Sequence, residues 1–237
     1  GITTRELDFQ PSNTDLNQLN IGVVGDLGTG KTQLLQALMY NLHQSSNENR
    51  GEKPNVLIFD YKKDYSKPLF VENTGARVIQ PYDIPLNIFD TTDCTNQRNP
   101  WLERARFFID ILSKIYSGIG PKQNQKIKSS IKDAYDRADL NGNGAPTIYD
   151  VFELYGEACG DAIDSPYSIM SDLVDQQLFV DSNEKTVPFK DFFKGVVVIN
   201  LGELGQDDKT KNMLVAIFLN LFYEHMLKVE KKPFLGT

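Results

Sequence analysis

The chain is poor in the residues that build metal centres and disulfide frameworks. Its two cysteines, Cys94 and Cys159, and two histidines, His43 and His225, stand far apart with no metal-ligand spacing between them. Two isolated thiols exclude a disulfide-stapled scaffold and suit a reducing cytoplasm, where they serve as small apolar side chains. Basic excess is also missing: 25 Lys and Arg against 32 Asp and Glu give a net charge of −7, which argues against a broadly basic nucleic-acid surface. That balance still allows DNA to be held by a few loops or by other parts of a larger assembly. No leader with an apolar core is visible at the polar N-terminus. The most apolar stretch, residues 213–223, is too short to span a bilayer and is followed by Glu224, His225 and Lys228. It reads as a helix buried within a domain, and a soluble cytoplasmic protein without membrane contact is expected. Neither a Gly-x-Ser-x-Gly elbow nor a His-Glu-x-x-His helix occurs. The Asn-Lys-x-Asp signature that selects guanine is absent too, which leaves adenine as the default base.

What the chain does have is Gly25-Asp26-Leu27-Gly28-Thr29-Gly30-Lys31-Thr32, a complete G-x-x-x-x-G-K-T phosphate loop. Residues 20–24 before it read as a short apolar strand, and residues 33–39 after it as a helix, the order that this motif needs. Backbone N–H groups of the loop and of the helix N-terminus favour phosphate oxygens. The spacing assigns Gly25 to Gln33 to ATP, with Lys31 reaching the β- and γ-phosphates and the Thr32 hydroxyl coordinating Mg²⁺.

The remaining pattern predicts an α/β fold with a parallel sheet. Residues 1–19 are a polar lead-in. Val56-Leu57-Ile58-Phe59-Asp60 is a continuous apolar run ending in an acid, as in a strand buried on both faces. Residues 77–79 form a weaker strand, and residues 195–201 the strongest strand signal. Between them lies helical sequence. Asn99 is the expected N-cap of a helix with Pro100 at its first position. Helices follow over about 123–138, 148–159 and 169–178. The strands then resume, so residues 20–95 and 187–237 are expected to form one core around a helical insertion at 96–186. Beginning at Gly1 and ending at Thr237, the chain is expected to be a fragment of something longer.

Two carboxylate patterns compete with the phosphate loop for attention. Residues 139–150 imitate a Ca²⁺ loop, with Asp139, Asn141, Asn143 and Gly144 spaced as in an EF-hand. Pro146 and the short Asp150 at position twelve weaken that match. A Gly/Asn turn followed by Thr147 as N-cap, with Asp150 three residues on, explains the same letters, and no specific calcium is expected. Asp60 is the second case and the one catalytic candidate. It reads either as the Mg²⁺-ordering acid of a Walker B strand, or as an acid at a strand tip that faces the site without holding the metal. Glu203 reads as a solvated loop acid.

Several blocks together resemble the HerA–FtsK class of hexameric DNA-translocating ATPases: the phosphate loop, Ile58-Phe59-Asp60-Tyr61-Lys62-Lys63-Asp64-Tyr65, Pro85-Leu86-Asn87-Ile88-Phe89-Asp90, and Val197-Val198-Ile199-Asn200-Leu201 before a long apolar helix. More narrowly, the wording of residues 59–66, of Asp164-Ser165-Pro166-Tyr167 and of Lys211-Asn212-Met213-Leu214-Val215 is similar to the ATPase subunit of phosphorothioation-dependent DNA restriction systems. The resemblance implies a RecA/HerA-like P-loop fold that uses ATP and Mg²⁺. It also implies a homo-oligomeric ring and partnership with DNA and other restriction subunits. A conjugation- or secretion-type DNA-pumping ATPase has the same core and stays open as an alternative, as does a nucleotide-binding assembly protein without turnover. In this class a strand ending in Asp-Glu follows the long helix. No such pair is present before Thr237, so this segment is expected to bind ATP and hydrolyse it poorly.

Overall fold

A computed structural model of the protein describes residues 22–47, 51, 53–92, 98–142 and 144–228. The elements run α1 (Lys31–Gln44), β1 (Val56–Phe59), α2 (Pro68–Thr74), β2 (Arg77–Ile79), α3 (Pro100–Ile115), α4 (Pro121–Asn141), α5 (Ile148–Cys159), α6 (Ser165–Asp175), α7 (Phe189–Phe192), β3 (Val196–Ile199) and α8 (Asp208–Lys228). Single 3-10 turns cover Asn183–Lys185 and Leu201–Leu204.

Among the described residues three strands form one all-parallel sheet in the order β1-β3-β2, with Leu57 opposite Val197 and Val78 opposite Val198. Side chains alternate across a strand, and here both faces are covered. Val197 and Ile199 point into the larger core with residues of α3 to α8. Val196 and Val198 point the other way, onto Ile58, Phe70 and Ala76, with Met39 of α1 packed against them. Four β-branched residues in a row, all buried, explain why residues 196–199 become the central strand.

Segment 84–89 joins the sheet to the helices that lie between β2 and β3 in the chain. Ile84, Leu86, Ile88 and Phe89 are buried, and Asn87 fastens them. Its Nδ2 donates to the Pro146 carbonyl (2.9 Å) and to Asn183 Oδ1 (2.8 Å), while its Oδ1 accepts from the Phe89 N–H (2.9 Å). Arg104, 2% exposed on α3, donates to the Asp90 carbonyl and pairs with Glu224 of α8 at 2.8 Å.

Sequence and structure part company in a few places. The expected strand at 20–24 lies partly outside the described residues, and residues 22–25 carry no strand pairing. Val23 and Val24, set between glycines, offer only two apolar side chains, and Val24 is 95% exposed. Asn99 makes no side-chain cap, so α3 starts on Pro100 alone. The fourth helix begins at Ser165 rather than 169, because Asp164 caps it through the Tyr167 N–H and Pro166 occupies its first turn. It ends by Asp175, with Gln177 in a left-handed conformation. Helix α4 outlasts its expected end by three residues, to Asn141, where Gly142 at φ 69° closes it.

Candidate nucleotide site

The phosphate loop is an exposed turn that feeds directly into α1. Gly28 (φ 82°) and Gly30 (φ 84°) adopt left-handed backbone that other residues rarely take, and Gly30 is the N-cap of α1. Gly25 is a glycine for space: a Cβ there would stand 2.6 Å from Thr29 Oγ1. That hydroxyl and the Thr29 N–H both return to the Asp26 carbonyl, at 2.8 and 3.3 Å, and close the turn. Lys31 Nζ donates to the carbonyls of Gly25 and Asp26 at 2.6 Å each, which holds its ammonium over the loop. Thr32 and Gln33 lie in the first turn of α1, and Leu27 is the exposed loop tip. No acidic residue and no side-chain cap neutralise the positive end of α1. Free helix N–H groups and an ammonium held over the loop fit a polyphosphate.

Asp60 is bound by its own loop. It is 2% exposed at the end of β1. Its Oδ1 accepts from the N–H groups of Lys62 (3.3 Å) and Asp64 (3.0 Å). Its Oδ2 accepts from the Tyr65 N–H (2.9 Å), the Ser66 N–H (3.1 Å) and the Ser66 hydroxyl (3.0 Å). With both oxygens engaged by five donors, Asp60 organises residues 60–66 into a knot. All five donors come from residues 62–66 of its own loop. Gln36 of α1 donates to the Asp64 carbonyl at 3.0 Å, so the same knot steadies the helix that starts at the phosphate loop.

The knot also leans on the sheet's carboxyl edge, where open parallel sheets bind ligands. Lys63, at φ 58°, reaches Glu203 at 2.8 Å, and the Gly202 N–H donates to the Asp60 carbonyl at 3.1 Å. Gly202 has no room for a side chain, since a Cβ would meet Lys63 Cγ at 2.8 Å. Glu203 is 42% exposed, as a solvated loop acid would be, and Lys63 holds its carboxyl below the usual range. Asn200, 3% exposed at the tip of β3, donates to Gln80 Oε1 at 3.1 Å, while its own Oδ1 is buried without a protein partner. A buried amide oxygen with no donor is costly. Asn200 and Gln80 escaped sequence reasoning as site residues. The available signal was a polar residue directly after a four-residue β-branched run.

Other expected features settle elsewhere. Asp150 is committed to the capping box of α5, accepting from the Thr147 N–H (2.7 Å) and hydroxyl (2.8 Å), which is the turn-and-cap reading of that loop; Asn143 lies outside the described residues. His43 at the end of α1 faces Lys53 at 3.0 Å, with burial and then the Lys53 charge lowering its pKa. His225 packs beside the Phe193 ring. Among the described residues no helix is long and apolar enough to cross a membrane.

The fold is shared with a known protein. The structure of VirB4 of Thermoanaerobacter pseudethanolicus superposes with a TM-score of 0.59 at 13% identity, covering 86% of this chain and 55% of that one. The chain thus spans about half the length of that structure. No protein-family model and no curated protein matches. At this identity the likeness establishes architecture alone, a parallel sheet flanked by helices.

Proposed function

We propose that this chain is the ATP-binding core of a ring-forming P-loop ATPase of the secretion or conjugation type. The observation that carries the reading is the phosphate loop, with its left-handed Gly28 and Gly30 and with Lys31 bonded to the Gly25 and Asp26 carbonyls. The VirB4 likeness supports the secretion-type branch over the restriction motor that the wording of residues 59–66 suggests. The restriction reading is kept as the second one, on that block and on Asp164-Ser165-Pro166-Tyr167.

In this reading the N–H groups from Gly28 to Gln33 receive phosphate oxygens, and Lys31 exchanges its two carbonyl partners for the β- and γ-phosphates. The Thr32 hydroxyl completes the coordination of Mg²⁺, which screens the phosphate charge when bound. The Asp60 knot holds α1 in register through Gln36. The division into a core at 20–95 and 187–237 around a helical insertion at 96–186 belongs to the same proposal, as do DNA as cargo and a cytoplasmic location. With a net charge of −7, most phosphate neutralisation on DNA has to come from other subunits or segments. The test is DNA-stimulated ATP turnover by the parent protein. Stimulation that Lys31→Ala abolishes supports the motor. ATP binding without any stimulated turnover favours an assembly protein.

A further inference from the structure

Away from the nucleotide site, four chemically active side chains from three helices meet. Lys126 projects from α4, Tyr155 and Cys159 from α5, and Asp164 caps α6. Lys126 Nζ lies 3.4 Å from Cys159 Sγ and 3.0 Å from Asp164 Oδ2. Tyr155 donates its hydroxyl to both Asp164 oxygens, at 3.1 and 3.0 Å, and its ring sits 5.3 Å from the Lys126 ammonium. The Cys159 thiol faces Asp164 Oδ1 at 3.8 Å. Cys159 is half-buried, and a cleft of about 550 Å³, lined by Gln123, Asp164, Ser165 and Lys209 among others, opens beside the cluster.

A thiol and a primary amine in contact are more than an ion-pair network needs. Tyr155 and Lys126 already satisfy Asp164, and helix capping requires only the bond from the Tyr167 N–H at 3.2 Å. The cysteine adds an oxidisable atom held against a nucleophile. Its neighbours are fixed: Tyr155 is fully buried, and Asp164 is anchored at a helix start.

We propose that Cys159 and Lys126 form a peroxide-sensitive cross-linking site, in which oxidation joins α4 to α5 through an S–N bond. The Cys159 sulfur attacks a peroxide oxygen, the O–O bond breaks, and the departing hydroxide leaves as water with the thiol proton. Sulfur is oxidised by two electrons to the sulfenic acid and the peroxide is reduced by the same two. Lys126, 31% exposed, releases its ammonium proton to solvent. The freed amine then attacks sulfur; the S–O bond breaks, and its oxygen departs as a second water carrying one amine hydrogen. A sulfenic acid condensing with a nitrogen in this way has a backbone counterpart. Positioning matters because a competing second peroxide would otherwise drive the sulfenic acid irreversibly to sulfinic acid. The site is independent of the nucleotide reading.

The test is hydrogen peroxide treatment of the purified chain in a Cys94→Ser background, followed by proteolysis and mass spectrometry. The expected product is one joined peptide containing Lys126 and Cys159, lighter by two hydrogens than the sum of its parts and separated again by dithiothreitol. Lys126→Arg preserves the charge beside Asp164 but removes the primary amine. It should lose the joined peptide completely while Cys159 becomes trappable by dimedone. Conversion of Cys159 to sulfinic acid with Lys126 unmodified would overturn the proposal, as would an inert thiol in a chain whose circular dichroism is native.

Discussion

Replacing Asp60 by asparagine separates loop organiser from metal ligand. The carboxylate accepts three bonds on Oδ2, from the Tyr65 N–H, the Ser66 N–H and the Ser66 hydroxyl. An amide nitrogen in that position turns those donors against another donor. If the amide flips, the two donors on Oδ1 suffer instead. The flipped amide is the cheaper arrangement, so at about 1 kcal/mol of net stabilisation per bond the two lost bonds cost roughly 2 kcal/mol, and repulsion adds to that. For a chain of this size the loss lowers Tm by roughly 4–8 °C. The assay is thermal and urea unfolding without nucleotide or Mg²⁺, with Asp64→Asn as a control whose main effect is on an exposed pair with Lys67. Unfolding of Asp60→Asn at the wild-type temperature, with only Mg²⁺-dependent nucleotide binding lost, would refute the structural role and restore Asp60 as a metal ligand.

Three further outcomes follow from the packing. Glu224→Ala removes the carboxylate paired with the buried Arg104, and unfolding free energy should fall by about 3 kcal/mol in urea denaturation. Thr147→Ala removes the hydroxyl that accepts from the Asp150 N–H and donates to its carboxylate at the start of α5, at a cost of about 1 kcal/mol by the same measurement. Asp164 is pushed up by burial but carried below the usual range by its bonds from Lys126, the Tyr167 N–H and Tyr155. A carboxyl depressed in the folded state stabilises above its unfolded pKa, and that stability is lost as pH falls through the folded value. Asp164→Asn should therefore flatten the stability loss seen below about pH 4, read as Tm against pH.

Much of this architecture could be read from the residues because local pattern and tertiary role coincide. The run from Val196 to Ile199 is buried on both faces, so continuous hydrophobicity was a sufficient signal. Thr147 and Asp150 form the box that their spacing announces. Helix α5 begins and ends where its pattern does. The phosphate loop is legible for another reason: its glycines answer to backbone angles and close approach, which depend on no distant partner.

What sequence could not reveal depends on long-range partners. Whether Asp60 binds a metal or its own loop is decided by which donors surround its oxygens, and the residue order leaves both open. Arg104 looks like one more helix charge until Asp90 and Glu224, 120 positions away from it, converge on it. Asn200 takes its significance from Gln80, directly after the neighbouring strand β2. Residues 22–24 failed as a strand because hydrophobicity there is not matched by a paired neighbour among the described strands.

The central claim is that residues 25–33 cradle the phosphates of ATP, and calorimetric titration of Mg²⁺–ATP into the chain tests it most directly. The wild type should bind, and Lys31→Ala should lose binding while its circular dichroism and melting temperature stay near wild type, since the bonds of Lys31 among the described residues go to exposed loop carbonyls. Equal affinity for wild type and Lys31→Ala, or no binding by the wild type, would contradict the account.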